Sequence, residues 1–273
     1  MSFVHDLTHL SFSRGINNHG SFYAAFEAEG DTTIFYKASC YNAKARSIVG
    51  HESINEVIVS RLFDILGIEH LSYTPVKADI LIEGLPFRTV LCKSSNFIAP
   101  DEEELTLDDY YKPRHQKGES ALSFCRRIGI GDFIYRMIAA DYIIMNRDRY
   151  AYNIVLLRDK NTGQIRPAPL FDHGISLLYE CWTDEELAGF DVMRDKVSGM
   201  YIGNWFVTKN LNLIPQTHYP VFRQLCEKDR AALFADLEED LSPLHQDKLW
   251  EMITKRLAYY QEYVSSHTLS NSP

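Results

Sequence analysis

Met145-Asn-Arg-Asp-Arg-Tyr-Ala-Tyr-Asn153 and, nineteen residues further on, Asp172-His-Gly174 are the stretches of sequence that decide the fold. They set out one aspartate, Asp148, an asparagine five positions later, Asn153, and a second aspartate, Asp172. Phosphoryl transfer in kinase-like folds uses three such side chains together. One carboxylate orients the attacking hydroxyl and takes its proton, while an amide oxygen and a second carboxylate hold Mg²⁺ on the phosphates. The pattern predicts a kinase.

A simple polar turn is the alternative interpretation of residues 146–149, because Asn and Asp favour turns for backbone reasons alone. The surrounding sequence favours the kinase. A predicted helix over Phe133–Met145 precedes the motif, a short apolar strand over Ile154–Leu157 follows it, and a second strand over Ile165–Leu170 leads into Asp172. Such a hairpin brings the two acids and the amide together at one strand end.

The composition limits the classes of partner. The chain has 273 residues, of which 45% are hydrophobic and 24% charged, as in globular proteins with one large domain or two lobes. A formal net charge of −9 argues against a nucleic-acid or anionic-membrane partner, since both favour excess Lys and Arg. The sequence lacks a long apolar run and a basic leader, and its five cysteines are scattered. We therefore expect a cytoplasmic protein with reduced thiols.

The hydrophobic pattern predicts an α+β, bilobal, protein-kinase-like fold with a β-rich N-lobe and a mainly helical C-lobe. Alternating residues after position 20 place Phe22, Ala24 and Phe26 on one strand face. A helix is expected over Ser53–Leu66 with Gly67 as its C-cap. Two strands, Val76–Ile82 and Phe87–Cys92, flank a turn at Glu83-Gly84, and a late helix covers Leu244–Tyr260. The predicted boundaries are 1–95 for the N-lobe, 96–118 for a hinge and acidic linker, and 119–273 for the C-lobe.

Lys37 is the predicted phosphate-binding lysine. It lies in an apolar strand, where an unpaired ammonium would be costly to desolvate, and Glu56 on the following helix is its expected partner. A strand lysine held by a helix glutamate against the α- and β-phosphates is the kinase arrangement. The alternative is an edge-strand lysine whose ammonium extends into solvent.

Two segments are candidates for nucleotide contact. Residues 11–21 contain Gly15 and Gly20 and could cover the phosphates with backbone N–H groups, although a disordered arm is the alternative. A Walker A loop is rejected there because the required lysine is absent and no helix follows. The strand carrying Leu91, Cys92 and Lys93 would enter the hinge and pair with adenine. Asp141, on the preceding helix, is expected to brace the catalytic loop unless it only caps the helix or faces solvent.

With Lys37, Glu56, Asp148, Asn153 and Asp172 in this order, the chain resembles the HipA-like bacterial serine/threonine kinases in their compact form. The resemblance implies ATP and Mg²⁺ as cofactors, a protein substrate, and an antitoxin partner if the chain is a toxin. It also implies autophosphorylation of a serine in the glycine-rich loop, with Ser11, Ser13 and Ser21 as candidates. The sequence departs from the family signature at Tyr150, where a histidine is usual.

Three other interpretations stay open. The chain is distantly similar to phosphatidylinositol kinases, which share the Asp-Arg-x-x-x-Asn and Asp-x-Gly motifs, although its acidic charge argues against a lipid substrate. An aminoglycoside-type kinase usually carries His before the catalytic aspartate, where this chain has Arg147. A catalytically inactive module that binds nucleotide or a partner protein is the third, although all five polar positions are present.

Overall fold

The computed structural model describes residues 3–15 and 22–269. In those ranges the strands are β1 His5–Asp6, β2 Ser13–Arg14, β3 Tyr23–Glu29, β4 Thr32–Lys37, β5 Tyr41–Asn42, β6 Ser47–Ile48, β7 Thr74–Ile82, β8 Leu85–Ser95, β9 Glu102–Thr106, β10 Asp148–Arg149, β11 Val155–Asp159, β12 Ile165–Pro167 and β13 Gly199–Met200. The α-helices are α1 Glu52–Leu66, α2 Leu107–Tyr111, α3 Ala121–Arg127, α4 Gly131–Ile144, α5 Asp184–Gly189, α6 Val207–Asn210, α7 Glu227–Phe234 and α8 Pro243–Leu269.

The N-lobe is built on a six-stranded sheet with the order β1-β7-β8-β4-β3-β2. Its longest pair is the β7–β8 hairpin, which closes through Glu83 and Gly84 with φ angles of 52° and 78°. Two left-handed residues in a two-residue connection match the right-handed twist of the flanking strands. The predicted hairpin is therefore present. Strand β7 begins two residues before the predicted start, and β8 extends two residues further at its start and three at its end.

The β3 strand shows which face of the sheet is buried. Tyr23 and Ala25 lie in the N-lobe core, whereas Phe26 is exposed. The face that Phe22, Ala24 and Phe26 were predicted to share is therefore the outer one, because side chains alternate across a strand and the core takes the other set.

The α1 helix connects the lobes. It ends at Gly67, whose φ of 68° is the left-handed C-cap that the sequence predicted. Its apolar residues Val57, Ile58 and Leu62 are fully buried in the same core as helix α4 of the C-lobe. Helix α1 also packs against β7 and β8. A side chain on α1 is consequently fixed relative to both lobes.

The C-lobe core surrounds α4, which is buried along nearly its whole length and packs against α3, α6 and α8. A helix without a polar face needs partners on all sides, and these neighbours supply them. The structure confirms the predicted helix here within two residues. It also shows that the last helix, α8, extends well beyond the predicted Leu244–Tyr260.

The predicted acidic linker needs correction. Residues 102–106 form β9, which pairs antiparallel with β11 beside β12. Glu102 contacts Arg166 at 2.7 Å, and Glu103 pairs with Arg158, so arginines on the neighbouring strands accommodate the acidic side chains. Charge density suggested a solvated segment, but cross-strand ion pairs allow it to form the edge of a sheet in the C-lobe.

Helix length and apolarity together bear on membrane insertion. Across residues 3–15 and 22–269, no helix is both long and apolar enough to span a bilayer.

Candidate active site

Lys37, Glu56 and Asp172 meet between the lobes. The Lys37 ammonium lies 3.1 Å from Oε1 of Glu56 and directly contacts Oδ1 of Asp172. The three residues come from β4, α1 and the turn after β12, and the Glu56 side chain is fully buried. The ring of Phe22 lies 5.0 Å from the ammonium. The structure therefore forms the predicted Lys37–Glu56 pair and adds Asp172 to it.

The charges at this cluster stabilise one another. Burial alone would lower the pKa of Lys37, but the carboxylates of Asp172 and Glu56 raise it well above its usual value. Burial alone would raise the pKa of Asp172, yet the Lys37 ammonium holds it below its usual value. At neutral pH the lysine is a cation and Asp172 a carboxylate, the forms that bind phosphate and metal.

Asp148 and Asn153 are held by one loop. The Asp148 N–H donates to Oδ1 of Asn146 at 2.9 Å, and the Asn153 side-chain amide donates to the Asp148 carbonyl at 2.7 Å. Because the side-chain nitrogen of Asn153 already donates a hydrogen bond, its Oδ1 is the side-chain atom that is left to coordinate a metal ion. Burial, followed by the negative charge of Asp172, raises the pKa of the Asp148 carboxyl. A raised pKa makes a carboxylate a better proton acceptor.

Arg149 ties the predicted catalytic loop, residues 146–153, to the predicted metal-binding turn at Asp172. Its guanidinium is fully buried and forms an ion pair with Asp141. It also donates to the carbonyls of Asn153 at 2.9 Å and Phe171 at 3.2 Å. Asp141 in turn accepts a hydrogen bond from Asn146 at 3.0 Å. The bracing predicted for Asp141 is therefore present, and it acts through Arg149.

The turn after Asp172 is fixed to helix α1. The His173 N–H donates to Oε2 of Glu56 at 2.8 Å, and the Asn55 amide donates to the carbonyls of Gly174 and Ser176. Arg149 donates to Nδ1 of His173, which places the proton of the neutral ring on Nε2. Burial and the Arg149 charge lower the pKa of His173 well below its usual value. Helix α1, the turn and the catalytic loop thus form one continuous network.

The predicted adenine-pairing residues need correction. Leu91, Cys92 and Lys93 lie inside β8, between β4 and β7, and their backbone groups pair within the sheet. The chain leaves the sheet only after Ser95. The end of this strand was predicted too early, because strand length depends on neighbours that the pattern does not show.

The glycine-rich segment is described only in part. Ser13 and Arg14 form β2 against β3, and Gly15 follows with a left-handed φ of 73°. Ser11 and Ser13 are exposed. Gly20 and Ser21 lie outside the described residues.

The metal ligands proposed by the sequence are oxygens. Asn153 and Asp172 together offer one amide oxygen and one carboxylate, and Mg²⁺ takes one or two carboxylates, with phosphates and water completing its shell. Within the described ranges, no group of three His, Cys, Asp or Glu side chains is arranged to hold a metal ion. Such a group is characteristic of an all-protein metal site, which Mg²⁺ in kinases does not need.

Comparison with known proteins supports the architecture. The sequence matches no family model and no curated protein. The crystal structure of CtkA, a proinflammatory kinase of Helicobacter pylori, aligns with a TM-score of 0.61 over 99% of both chains, at 14% identity. This chain has a kinase fold. HipA of Shewanella oneidensis MR-1, solved with HipB and operator DNA, aligns over 96% of this chain and 60% of its own, with 11% identity and a TM-score of 0.42.

The predicted α+β kinase-like architecture is thus confirmed. Lys37, Glu56, Asp148, Asn153 and Asp172 lie in one connected site. Four residues that hold this site together had no role predicted from the sequence: Asn55, Asn146, Arg149 and His173. Arg149 was the one with a signal, since an arginine next to a proposed catalytic carboxylate and close to a buried helix needs a partner.

Proposed function

We propose that this protein is an ATP- and Mg²⁺-dependent kinase that phosphorylates serine or threonine hydroxyls of a protein. The observation that carries the proposal is the contact of Lys37 with both Glu56 and Asp172. These residues are 19 and 135 positions from Lys37 along the chain. Their convergence between the lobes of a kinase fold is the arrangement that phosphoryl transfer requires.

Asp148 is the proposed base. Its carboxylate would orient the acceptor hydroxyl and accept its proton as the oxygen attacks. The hydrogen bonds from Asp148 to Asn146 and from Asn153 to Asp148 fix the loop before substrate arrives. Positioning of this kind accounts for most of the catalysis in phosphoryl transfer.

The residues of the site fit Mg²⁺ and ATP. Asn153 Oδ1 and the Asp172 carboxylate would hold the metal, and Lys37, braced by Glu56, would bind the α- and β-phosphates. When bound, Mg·ATP supplies the phosphoryl group and neutralises the charge that develops on it. The backbone that follows Gly15 would cover the phosphates.

The adenine would lie where the chain leaves the N-lobe sheet. Phe97 packs near Phe171, with ring centroids 5.6 Å apart, and the small apolar cluster beneath them includes Val155 and Leu157. Ile98 belongs to the same cluster, and its backbone N–H and C=O contact the Asn96 side chain at 3.2 and 3.3 Å. We propose that the adenine packs against this cluster beside residues 96–98, where the Asn96 side chain would have to release Ile98 before its backbone groups could pair with the base.

Incubation with γ-labelled ATP and Mg²⁺, followed by intact mass, tests this proposal. We expect the parent to transfer phosphate, and Asp148→Ala and Asp172→Ala to lose at least about a hundredfold in rate. Asp31→Ala, which removes an exposed carboxylate in the β3–β4 turn, is the matched control. Rates for both active-site variants within about tenfold of the parent would overturn the assignment.

A second outcome would separate an inert nucleotide-binding module from an enzyme. A Mg·ATP-dependent rise in melting temperature without transfer to the chain or to added proteins would favour the inert module. The toxin role and the antitoxin partner follow from the sequence resemblance. Growth arrest on expression that Asp148→Ala relieves would support them.

A further inference from the structure

A cleft of about 460 Å³ opens beside Asp148. Its lining includes Tyr150, which follows the proposed base by two residues, together with residues 197–200 and Trp205. Since an acceptor hydroxyl must reach Asp148, the molecule that carries it has to pass through this cleft. The chemistry of the walls therefore indicates the class of acceptor. This inference rests on the proposed kinase function.

The Tyr150 ring occupies the space that a side chain at position 199 would fill. Strands β10 and β13 run parallel, with Asp148 opposite Gly199. Because side chains alternate along an extended chain, Asp148 and Tyr150 project from the face toward which the Cα hydrogen of Gly199 points in place of a side chain. A Cβ on Gly199 would lie 2.2 Å from Cζ of Tyr150. The backbone of Gly199 is not left-handed, so the Tyr150 ring, and not the turn, is what an added side chain would meet here. The glycine seats the Tyr150 ring beside the proposed base.

The charges next to Asp148 are already paired. The Arg147 guanidinium contacts Glu180 at 2.5 Å and the Val197 carbonyl at 3.3 Å, and it lies 5.0 Å from the Tyr179 ring centre. Glu180 also binds Lys196 at 3.0 Å. A lipid phosphate would need an unpaired cation here, and a polycationic acceptor would need unpaired carboxylates beyond Asp148. Among the described residues that line the cleft, neither type of charge is present.

The remaining surface is apolar and exposed. Tyr150, Val197 and Trp205 are 55%, 61% and 68% exposed. Large apolar side chains grouped around a cleft mark a surface that a ligand covers. A leucine- or phenylalanine-sized side chain next to the acceptor hydroxyl would bury this surface.

The edge of β13 favours a peptide over a small molecule. Gly199 and Tyr201 donate their N–H groups to the carbonyls of Arg147 and Arg149, at 2.8 and 2.9 Å. Backbone groups alternate along a strand, so those of Met200 point to the opposite edge. Among the described strands, β10 is the sole partner of β13. The Ser198 N–H on the same edge already donates to the Trp205 carbonyl at 2.9 Å, so an extended peptide can pair here through the main-chain groups of Met200.

We propose that this cleft is the acceptor site and that it takes an extended peptide with a large apolar side chain next to the serine or threonine. In this proposal Tyr150, seated on Gly199, is a positioning residue. Its ring forms the wall that aligns the acceptor hydroxyl with Asp148, in the position where a histidine is usual in the resembling family.

Phosphorylation of serine-centred peptides carrying Leu, Phe, Arg or Glu on either side tests the proposal. We expect the Leu and Phe peptides to exceed the Arg and Glu peptides in kcat/KM by at least about tenfold, the equivalent of burying one apolar side chain. Tyr150→Ala should remove this preference mainly through KM. Tyr150→Phe keeps the ring and should retain it. Trp182→Ala, an exposed tryptophan that does not line the cleft, is the control.

Gly199→Ala tests whether the contact with Gly199 positions the Tyr150 ring. The added methyl should displace Tyr150 and raise KM for the Leu and Phe peptides about tenfold, while the affinity for a fluorescent ATP analogue stays unchanged. If the methyl acts through the ring, Tyr150→Ala/Gly199→Ala should perform no worse than Tyr150→Ala alone. A double variant with the full sum of both losses would overturn the proposed Tyr150–Gly199 coupling.

The remaining outcomes separate the two proposals. If the parent turns over Mg·ATP in an Asp148-dependent way but phosphorylates no peptide, or favours the Arg or Glu peptides, the apolar-peptide acceptor is wrong and the kinase function stands. If turnover does not depend on Asp148, both proposals fail.

Discussion

Arg149 and Asp141 form an ion pair from which solvent is excluded, with Nη2 of the arginine 2.8 Å from Oδ1 of the aspartate and both side chains at most 1% exposed. The arginine directly follows the proposed base and donates to carbonyls on two other segments, at Asn153 and Phe171. The aspartate comes from the buried helix α4. The position of the catalytic loop is thus set by a charge pair inside the C-lobe.

Arg149→Met should destabilise the fold strongly. Removing one partner of a buried pair leaves an uncompensated charge, which costs about 3–5 kcal/mol. Arg88→Met is the matched control, because Arg88 binds Asp79 at 2.9 Å at the surface, where solvent screens the charges and the pair contributes little to stability. Urea unfolding at pH 7 measures both. Adding Asp141→Leu to Arg149→Met should recover stability but not kinase activity, and equal costs for the two arginine variants would contradict the argument.

The sequence could predict the parts of the site that depend on local spacing. Asp148 and Asn153 lie on one loop, and Lys37 and Glu56 occupy neighbouring elements whose periodicity is clear. Their order along the chain was therefore sufficient to predict that they converge. The β7–β8 hairpin and the Gly67 cap were predictable for the same reason, since each depends on residues within one turn.

The parts that the sequence could not predict depend on distant contacts. Arg149 has partners on three segments. Its place beside Asp148 signals that it needs a partner, but a polar Asn-Arg-Asp-Arg run does not show which segments supply one. The acidic residues 102 and 103 are accommodated in a strand because Arg166 on β12 and Arg158 on β11 form ion pairs with them. The exit from β8 is likewise set by pairing with β4 and β7. In each case tertiary contacts override a local preference.

Gly174→Ala should impair catalysis through helix α1. An added Cβ would lie 3.1 Å from Cβ of Glu52, 3.2 Å from the Glu52 carbonyl and 3.4 Å from Oε1 of Glu56. Overpacking at a buried contact costs about 1–3 kcal/mol, and here it pushes Glu56 away from the turn that carries Asp172. We expect kcat to fall at least about tenfold. Gly189→Ala, where a Cβ meets no atom within 4 Å, should leave kcat unchanged; similar losses in the two variants would refute the steric explanation.

The pH–rate profile should reflect the raised pKa of Asp148. Burial and the charge of Asp172 favour the protonated acid, and the charges of Lys37 and Arg149 only partly oppose them. Because the base must be ionised, kcat/KM should fall on acidification with a midpoint above about 3.9, the ordinary value for aspartate. The profile should be measured together with the melting temperature at each pH. If the protein stays folded and its kcat/KM does not fall between neutral pH and about pH 3.9, the assignment of Asp148 as the base is wrong.

Acid should also destabilise the fold through His245. Its ring packs against His51, with centroids 4.5 Å apart, and burial followed by the nearby His51 lowers the pKa of His245 to about 4. An unfolded histidine has a pKa of about 6.5, so the unfolded chain binds the extra proton first as the pH falls. The stabilisation from the neutral ring is fully present above pH 6.5 and is lost as the pH falls toward 4. At pH 5 the loss amounts to about 2 kcal/mol. His245→Phe should therefore lose less stability than the parent between pH 7.5 and 5 in urea unfolding. The exposed His115→Phe should match the parent, and a His245→Phe variant with the parent's full loss would exclude this residue as a source of the acid sensitivity.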